Sequence, residues 1–292
     1  MIEELEKRCD VFVANAHDAE TCVGVPSWEE VDVLILLGDR WEVLYAAVDA
    51  ACSRIPIAHI HGGESTYGAM DDSMRHAISK LSHLHFVANH DFAAVLRKMG
   101  ERNIWVTGAP GLDNMVPYMK MKRKPEKYFV VTYHPETLGD DHLPALIAAL
   151  KEFPDYTVLW TAVNNDPGSD NVRQTIKDAG IRMAHWSLDQ YLLQIHQAAA
   201  VIGNSSSGII EAPYLGVPTV NIGKRQEGRP MGASIWSTDG DLVKGIENMI
   251  QLAIDYDGSF DHLYGEPGAS RHIAEVIATH PLDDILRKPW AI

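Results

Sequence analysis

Val31-Asp-Val-Leu-Ile-Leu-Leu-Gly-Asp-Arg40 is followed by an amphipathic stretch, Trp41–Ser53, and then by the apolar run Ile55-Pro-Ile-Ala58. This is a β-branched apolar run, a glycine turn, a helix-length segment and a second apolar run. Such a succession makes one strand–helix–strand unit, whose two strands lie parallel in one sheet. The pattern recurs. Further strands are expected at Val11–Val13, Leu84–Ala88 and Ile104–Val106. A second series is expected at Tyr128–Thr132, Tyr156–Trp160, Arg182–Ala184, Ala200–Ile202 and Thr219–Ile222. Helices are expected at Ser73–Leu81, His90–Lys98, Leu143–Phe153, Asp170–Asp178, Leu188–Ala198 and Ile209–Leu215, with others at Met1–Arg8, Ser270–Ala278 and Asp283–Arg287. The fold class is therefore α/β. The basic, proline-bounded Pro117–Pro125 reads as a linker between two domains with a cleft between them. Residues 1–117 form the first domain and 118–275 the second, while 276–292 pack back on the first.

With 292 residues, 46% hydrophobic and 22% charged, the chain has the composition of a globular protein with a real core. It shows no run of about 18 apolar residues and no basic-then-apolar leader, so no membrane partner is expected. Cys9, Cys22 and Cys52 are odd in number and contain no Cys-x-x-Cys pair. This argues against a disulfide framework and fits a cytoplasmic location. A net charge of −15, from 25 basic and 40 acidic residues, argues against nucleic acid as a partner. An anionic ligand would then need a local cationic island. Lys120-Met-Lys-Arg-Lys124 reads as solvated linker, whereas Lys224-Arg225-Gln-Glu-Gly-Arg229, after a strand and a glycine, suits that task better.

The chemistry concentrates where strands end, since open parallel sheets bind ligands at the carboxyl ends of their strands. Asp39 follows one strand and stands either as a helix cap or as a site carboxylate. His59-Ile-His-Gly-Gly-Glu64 follows the next, and its Gly-Gly turn allows close backbone approach to a ligand. Asp71, Asp72 and Ser73 read evenly as helix caps or as part of a site with Arg75. Two carboxylates in one cleft, Asp39 and Glu64, can divide general acid and base roles. The alternating His59/His61 and His83/His85 read as packing residues. Tyr133-His134-Pro-Glu136 follows the first strand of the second series, and His134 suits phosphate bonding or proton transfer. Gly203-Asn-Ser-Ser-Ser-Gly208-Ile-Ile-Glu211 opens a helix with small hydroxyl residues, a turn suited to a diphosphate. Glu211 stands one turn in, where it can accept from a ribose diol, and the Lys224–Arg229 loop can close over the phosphates.

Jointly these motifs resemble the UDP-N-acetylglucosamine 2-epimerases, most closely the hydrolysing branch that makes N-acetylmannosamine or diacetamido analogues for sialic-acid-like sugars. The similarity runs in order over roughly residues 31 to 275. It includes Lys80-Leu-Ser-His-Leu-His-Phe86, Gly108-Ala-Pro-Gly-Leu-Asp-Asn114 and Val220-Asn-Ile-Gly223 besides the segments above. The resemblance implies a GT-B-like fold, two Rossmann-type domains with parallel sheets flanking the cleft. It implies a two-step reaction, in which UDP is eliminated through a 2-acetamidoglucal that then adds water. Asp39, Glu64, Asp71 and His134 match catalytic positions; Arg75 and His134 support the diphosphate and leaving group. Ser205, Ser206, Ser207 and Gly208 match the phosphate turn and Glu211 the ribose glutamate, with Arg225 and Arg229 as further substrate contacts. No cofactor or metal is implied; the partners are the UDP-sugar and UDP, with a homodimer by family analogy. Alternatives are a non-catalytic UDP-sugar-binding protein and a GT-B glycosyltransferase, the latter having less use for three carboxylates. The front end departs from the family: the substrate loop has as its local analogue Val13–Glu20, which lacks arginine, and an abridged first domain is expected.

Overall fold

The computed structural model describes residues 1–13, 27–239 and 242–288. Its elements run α1 (Ile2–Glu6), β1 (Leu34–Leu37), α2 (Trp41–Cys52), β2 (Ile57–Ile60), α3 (Asp71–Leu81), β3 (Leu84–Val87), α4 (His90–Lys98) and β4 (Ile104–Val106). They continue with α5 (Val116–Met119), β5 (Tyr128–Thr132), α6 (Leu143–Leu150), β6 (Thr157–Thr161), α7 (Ser169–Asp178), β7 (Met183–Ala184) and α8 (Leu188–Gln197). Last come β8 (Ala200–Gly203), α9 (Ser207–Tyr214), β9 (Thr219–Ile222), β10 (Ile235–Thr238), α10 (Val243–Ile254) and α11 (Ala269–Thr279).

The chain divides into two units. One comprises residues 1–65, 71–113 and 264–292; the other comprises 66–70 and 114–263. In the first, four parallel strands lie in the order β1-β2-β3-β4. Strand alternation sends Ile57 to one face, where it packs with Ala47 and Ala50 of α2 and Ile78 of α3. Ala58 and Ile60 go to the other face, against Leu5 of α1 and Ile273, Ala274 and Ile277 of α11. Both faces are covered, as a parallel sheet requires. In α4, the Asn89 side chain caps the helix by accepting from the Phe92 amide at 3.0 Å.

The second unit holds a six-stranded parallel sheet in the order β10-β9-β8-β5-β6-β7. The chain leaves β5 toward β6 on one side and later places β8 on its other side, so strand order reverses between β5 and β8. This is the topological switch point of a doubly wound sheet. Every residue of β5, Tyr-Phe-Val-Val-Thr, is buried. Phe129 stacks on Tyr156 with ring centroids 4.6 Å apart, and Val131 packs with Leu143, Ile202 and Val220. A capping box of Ser187 and Gln190 starts α8.

Among the described residues Val11–Val13 is not a strand, and the helix expected at Asp283–Arg287 is a turn. The helix Val116–Met119 takes in the start of the expected linker, and Arg123 of the basic run donates to the Ala198 carbonyl at 2.6 Å instead of standing free in solvent. Residues 264–275, which the sequence groups with the second domain, pack with the first unit, because α11 supplies one wall of its core. The front-loop analogue lies almost wholly outside the described residues, as does Cys22; Cys9 and Cys52 are free thiols.

Candidate functional site

At the carboxyl edge of the four-stranded sheet, Gly38 takes φ +91 and its amide donates to the Ile60 carbonyl at 3.1 Å. Asp39 and the turn after β2 therefore leave neighbouring strand ends side by side. Asp39 does not cap α2, whose N-cap is Arg40; it pairs with the Arg75 guanidinium. Arg75 is 1% exposed and also donates to the Glu64 carbonyl at 3.1 Å and to Asp72 at 3.4 Å. Asp71 and Asp72 form the first turn of α3, inside the helix, where their charge complements its dipole. Arg75 thus fastens three backbone segments behind one set of carboxylates.

Glu64 is 1% exposed, and its Oε1 lies 2.6 Å from Nδ1 of His61, whose own side chain is 20% exposed. Behind them, His59 is wholly buried. Its Nε2 donates to the Gly38 carbonyl at 2.8 Å, since a carbonyl can only accept, and its Nδ1 accepts from Ser79 at 3.0 Å. Burial drives its pKa down to about 3, so the ring is a neutral strut between the β1 turn and α3. The Gly62-Gly63 turn makes its close approaches to the protein itself. A Cβ on Gly63 would lie 2.4 Å from the Phe92 carbonyl, and one on Gly62 2.8 Å from Ser79 Oγ. His83 and His85 are buried, as packing residues; His83 Nδ1 accepts from the Ile57 amide at 3.1 Å and His85 Nε2 meets Glu101 at 3.2 Å.

In the second unit the switch point is occupied. Thr132 ends β5 beside Gly203 of β8, and the Asn204 amide continues the ladder to the Thr132 carbonyl at 3.1 Å. Gly203 at φ +134 permits this, because a Cβ there would stand 2.0 Å from that carbonyl. The fully buried Asn204 accepts from the His134 amide and donates to the His134 carbonyl, both at 2.8 Å. Asn204's own carbonyl receives Gln226 at 2.8 Å and Arg225 at 3.4 Å. Burial first, and then the Arg225 charge, lower the His134 pKa to about 4, so its imidazole is neutral at pH 7. Its Nδ1 accepts from the Asn164 amide at 3.3 Å, which leaves Nε2 protonated as a donor. Arg225 is bound to Asp166 at 3.1 Å. Glu136 accepts from the Lys224 amide at 3.2 Å, and burial raises its pKa.

Ser206 and Ser207 open α9, Ser207 bonding Ser205 at 3.2 Å and the Tyr191 hydroxyl at 2.5 Å. Gly208 lies where a Cβ would meet Thr219, so the helix starts close against β9. Glu211 follows one turn along and is half-buried. The structure brings Asp39, Glu64, Asp72 and Arg75 together in one unit, with Asp71 beginning the same helix, and gathers His134, Arg225 and the serine turn around Asn204 in the other. Sequence reasoning passed over Asn204, Asp166, Tyr191 and the His61–Glu64 pair. Asn204 was signalled only by its place between a strand-ending glycine and the serines.

Two doubly covered parallel α/β units, one with its polar cluster at a switch point, define a GT-B-like fold. The chain belongs to the UDP-N-acetylglucosamine 2-epimerase family, whose model matches residues 21–278. It is 35% identical over 225 residues to the polysialic acid biosynthesis protein P7 of Escherichia coli, covering 70% of this chain and 58% of that protein's length. It is 33% identical over 281 residues to the GDP/UDP-N,N'-diacetylbacillosamine 2-epimerase (hydrolyzing) of Campylobacter jejuni, with 84% of this chain and 73% of that protein covered. Among solved structures it is similar to the UDP-GlcNAc 2-epimerase of Methanocaldococcus jannaschii in complex with UDP-GlcNAc and UDP. The TM-score is 0.72 and the identity 16%, over 84% of this chain and 75% of that one.

Proposed function

We propose that the protein is a hydrolysing 2-epimerase of UDP-N-acetylglucosamine or a diacetamido analogue, releasing UDP and the free 2-epimeric sugar for sialic-acid-like sugar synthesis. The observation that carries this reading is the cluster of Asp39, Glu64 and Arg75 at the carboxyl edge of the four-stranded sheet. The carboxylates of Asp39, Glu64 and Asp71, with Arg75 holding the first in place, support proton transfer at the sugar, which a transferase or a binding protein has less reason to maintain. His134, Ser205, Ser206, Ser207, Gly208, Arg225 and Arg229 hold the diphosphate, with Glu211 on the ribose. Hydrogen-bond donors fixed in advance around the departing UDP stabilise the charge that develops on it. The hydrolysing outcome is favoured by the Campylobacter relative's description.

The test is incubation with UDP-N-acetylglucosamine, and separately its diacetamido analogue, in deuterated water, followed by NMR of the products. UDP and a free 2-epimer carrying deuterium at carbon 2 are expected. Release of UDP without epimerisation refutes the proposal, and a product still joined to UDP refutes the hydrolysing outcome.

A further inference from the structure

Glu64 and His61 divide their exposure unequally. The carboxylate is 1% exposed and stands behind the imidazole, which is 20% exposed. Only the imidazole has surface to offer a substrate. Its placement is built in: β2 ends at Ile60, and His61 takes φ +66, a left-handed conformation rare outside glycine. The His61 amide donates to the Phe86 carbonyl at 3.0 Å, which pins the turn to β3.

The partner also sets the tautomer. A carboxylate accepts hydrogen bonds, so Nδ1 carries the proton of the neutral ring and Nε2 keeps its lone pair. Among the described residues none hydrogen-bonds Nε2. The titratable and charged groups around this turn are Glu64, Asp39 with its Arg75 partner, and the neutral strut His59. Asp39 is engaged by a guanidinium, and Glu64 by His61. The unbonded imidazole nitrogen is thus a basic atom of this partly exposed turn, beside an Asp39 carboxylate whose Oδ2 the guanidinium holds.

We infer that His61 is the base that removes the proton from carbon 2 of the sugar, with Glu64 as its positioning residue; this rests on the proposed epimerase reaction. Nε2 takes the carbon-2 proton, the C–H electron pair forms the C1–C2 double bond, and the C1–O bond breaks with its pair going to the UDP oxygen. The imidazolium so formed is stabilised by the Glu64 carboxylate, as in other histidine–carboxylate pairs. Water oxygen then adds at carbon 1 and loses a proton to solvent. Carbon 2 receives a proton from a different acid on the opposite face, which inverts it, and His61 returns its proton to solvent.

The experiment compares wild type, His61→Gly, His61→Asn and Glu64→Gln. Glycine and asparagine both tolerate φ +66, so these variants are compatible with the turn. Loss of a general base lowers kcat by about 10²–10⁴-fold. That loss is expected in both His61 variants with UDP affinity unchanged. Added imidazoles should restore turnover in His61→Gly, faster for the more basic ones. In Glu64→Gln kcat should fall while KM and UDP affinity stay near wild type, because the imidazole loses the partner that sets its tautomer and orientation. Near-wild-type turnover in either His61 variant overturns the assignment. So does a loss that no imidazole rescues in a variant with wild-type melting and UDP affinity. A wild-type protein that releases no UDP from either sugar nucleotide removes the proposed function and this inference together. An active wild type with an active His61→Asn removes this inference alone.

Discussion

Asn204→Ala tests whether the switch point is held as the geometry implies. The side chain is fully buried and makes paired 2.8 Å bonds to the amide and carbonyl of His134. A net hydrogen bond is worth about 1 kcal/mol, but a buried group left without its partner costs about 1–3 kcal/mol. Removing the amide strands both backbone groups of His134, so the expected loss is about 2–5 kcal/mol. That is a large part of a typical stability of about 5–15 kcal/mol. Urea unfolding should show a lower midpoint with an unchanged slope. Because the same residue joins the His134 loop to the serine turn, UDP binding should weaken at least about 10-fold, equivalent to about 1.4 kcal/mol, by calorimetry. A stability change below about 0.5 kcal/mol with unaltered UDP affinity would refute the reasoning.

Three further outcomes are expected. Glu211→Ala should weaken UDP binding by about 10–100-fold, the worth of hydrogen bonds to a charged group, while leaving the unfolding midpoint nearly unchanged; an unmoved calorimetric affinity would remove the ribose role. Glu101 is buried and receives Lys288 at 2.5 Å, Lys80 at 2.7 Å and His85 at 3.2 Å. Burial opposes its charge, but bonds from His85, Lys288 and Lys80 outweigh it and hold its pKa down to about 2. Glu101→Gln removes the anion facing two ammonium groups that keep backbone carbonyl acceptors and partial exposure, and should cost about 1–3 kcal/mol, read as a fall in melting temperature at pH 7; an unchanged melting temperature contradicts this. For the buried His59, lowered from 6.5 to about 3 by burial, the unfolded chain takes the proton first. Its contribution is therefore complete above about pH 6.5 and is lost as pH falls toward 3, amounting to about 2 kcal/mol at pH 5. A melting temperature flat from pH 7 to 4.5 would contradict the buried neutral ring.

Where burial on both faces demanded continuous β-branched runs, the fold was legible from the residues alone. Tyr128–Thr132, Ile104–Val106 and Thr219–Ile222 begin and end as the pattern predicts, and so does the helix His90–Lys98. The edge strand Ile235–Thr238 escaped notice because only one neighbour covers it and its two hydroxyl residues dilute the apolar signal. The helix Val243–Ile254 was also passed over, although it buries Ile246, Ile250 and Ala253 at helical spacing. In the candidate site, strand-end position was readable, since Asp39, Glu64, His134 and the serines all follow apolar runs. Partnership was not. That Asn204 clamps His134 across seventy residues, or that the Gly62-Gly63 turn nestles against α3 and α4, depends on tertiary packing that no local spacing encodes.

The first unit is built from both ends of the described chain, with α11 in its core and Lys288 donating to the Lys80 and Ser82 carbonyls at 2.8 and 2.6 Å. During synthesis, which proceeds at about 5–20 residues per second, residues 114–263 emerge before this last wall exists. The half bearing the serine turn can thus mature on the ribosome while the half bearing His61 and Glu64 waits for α11. The order of manufacture is the reverse of the order in which the halves begin.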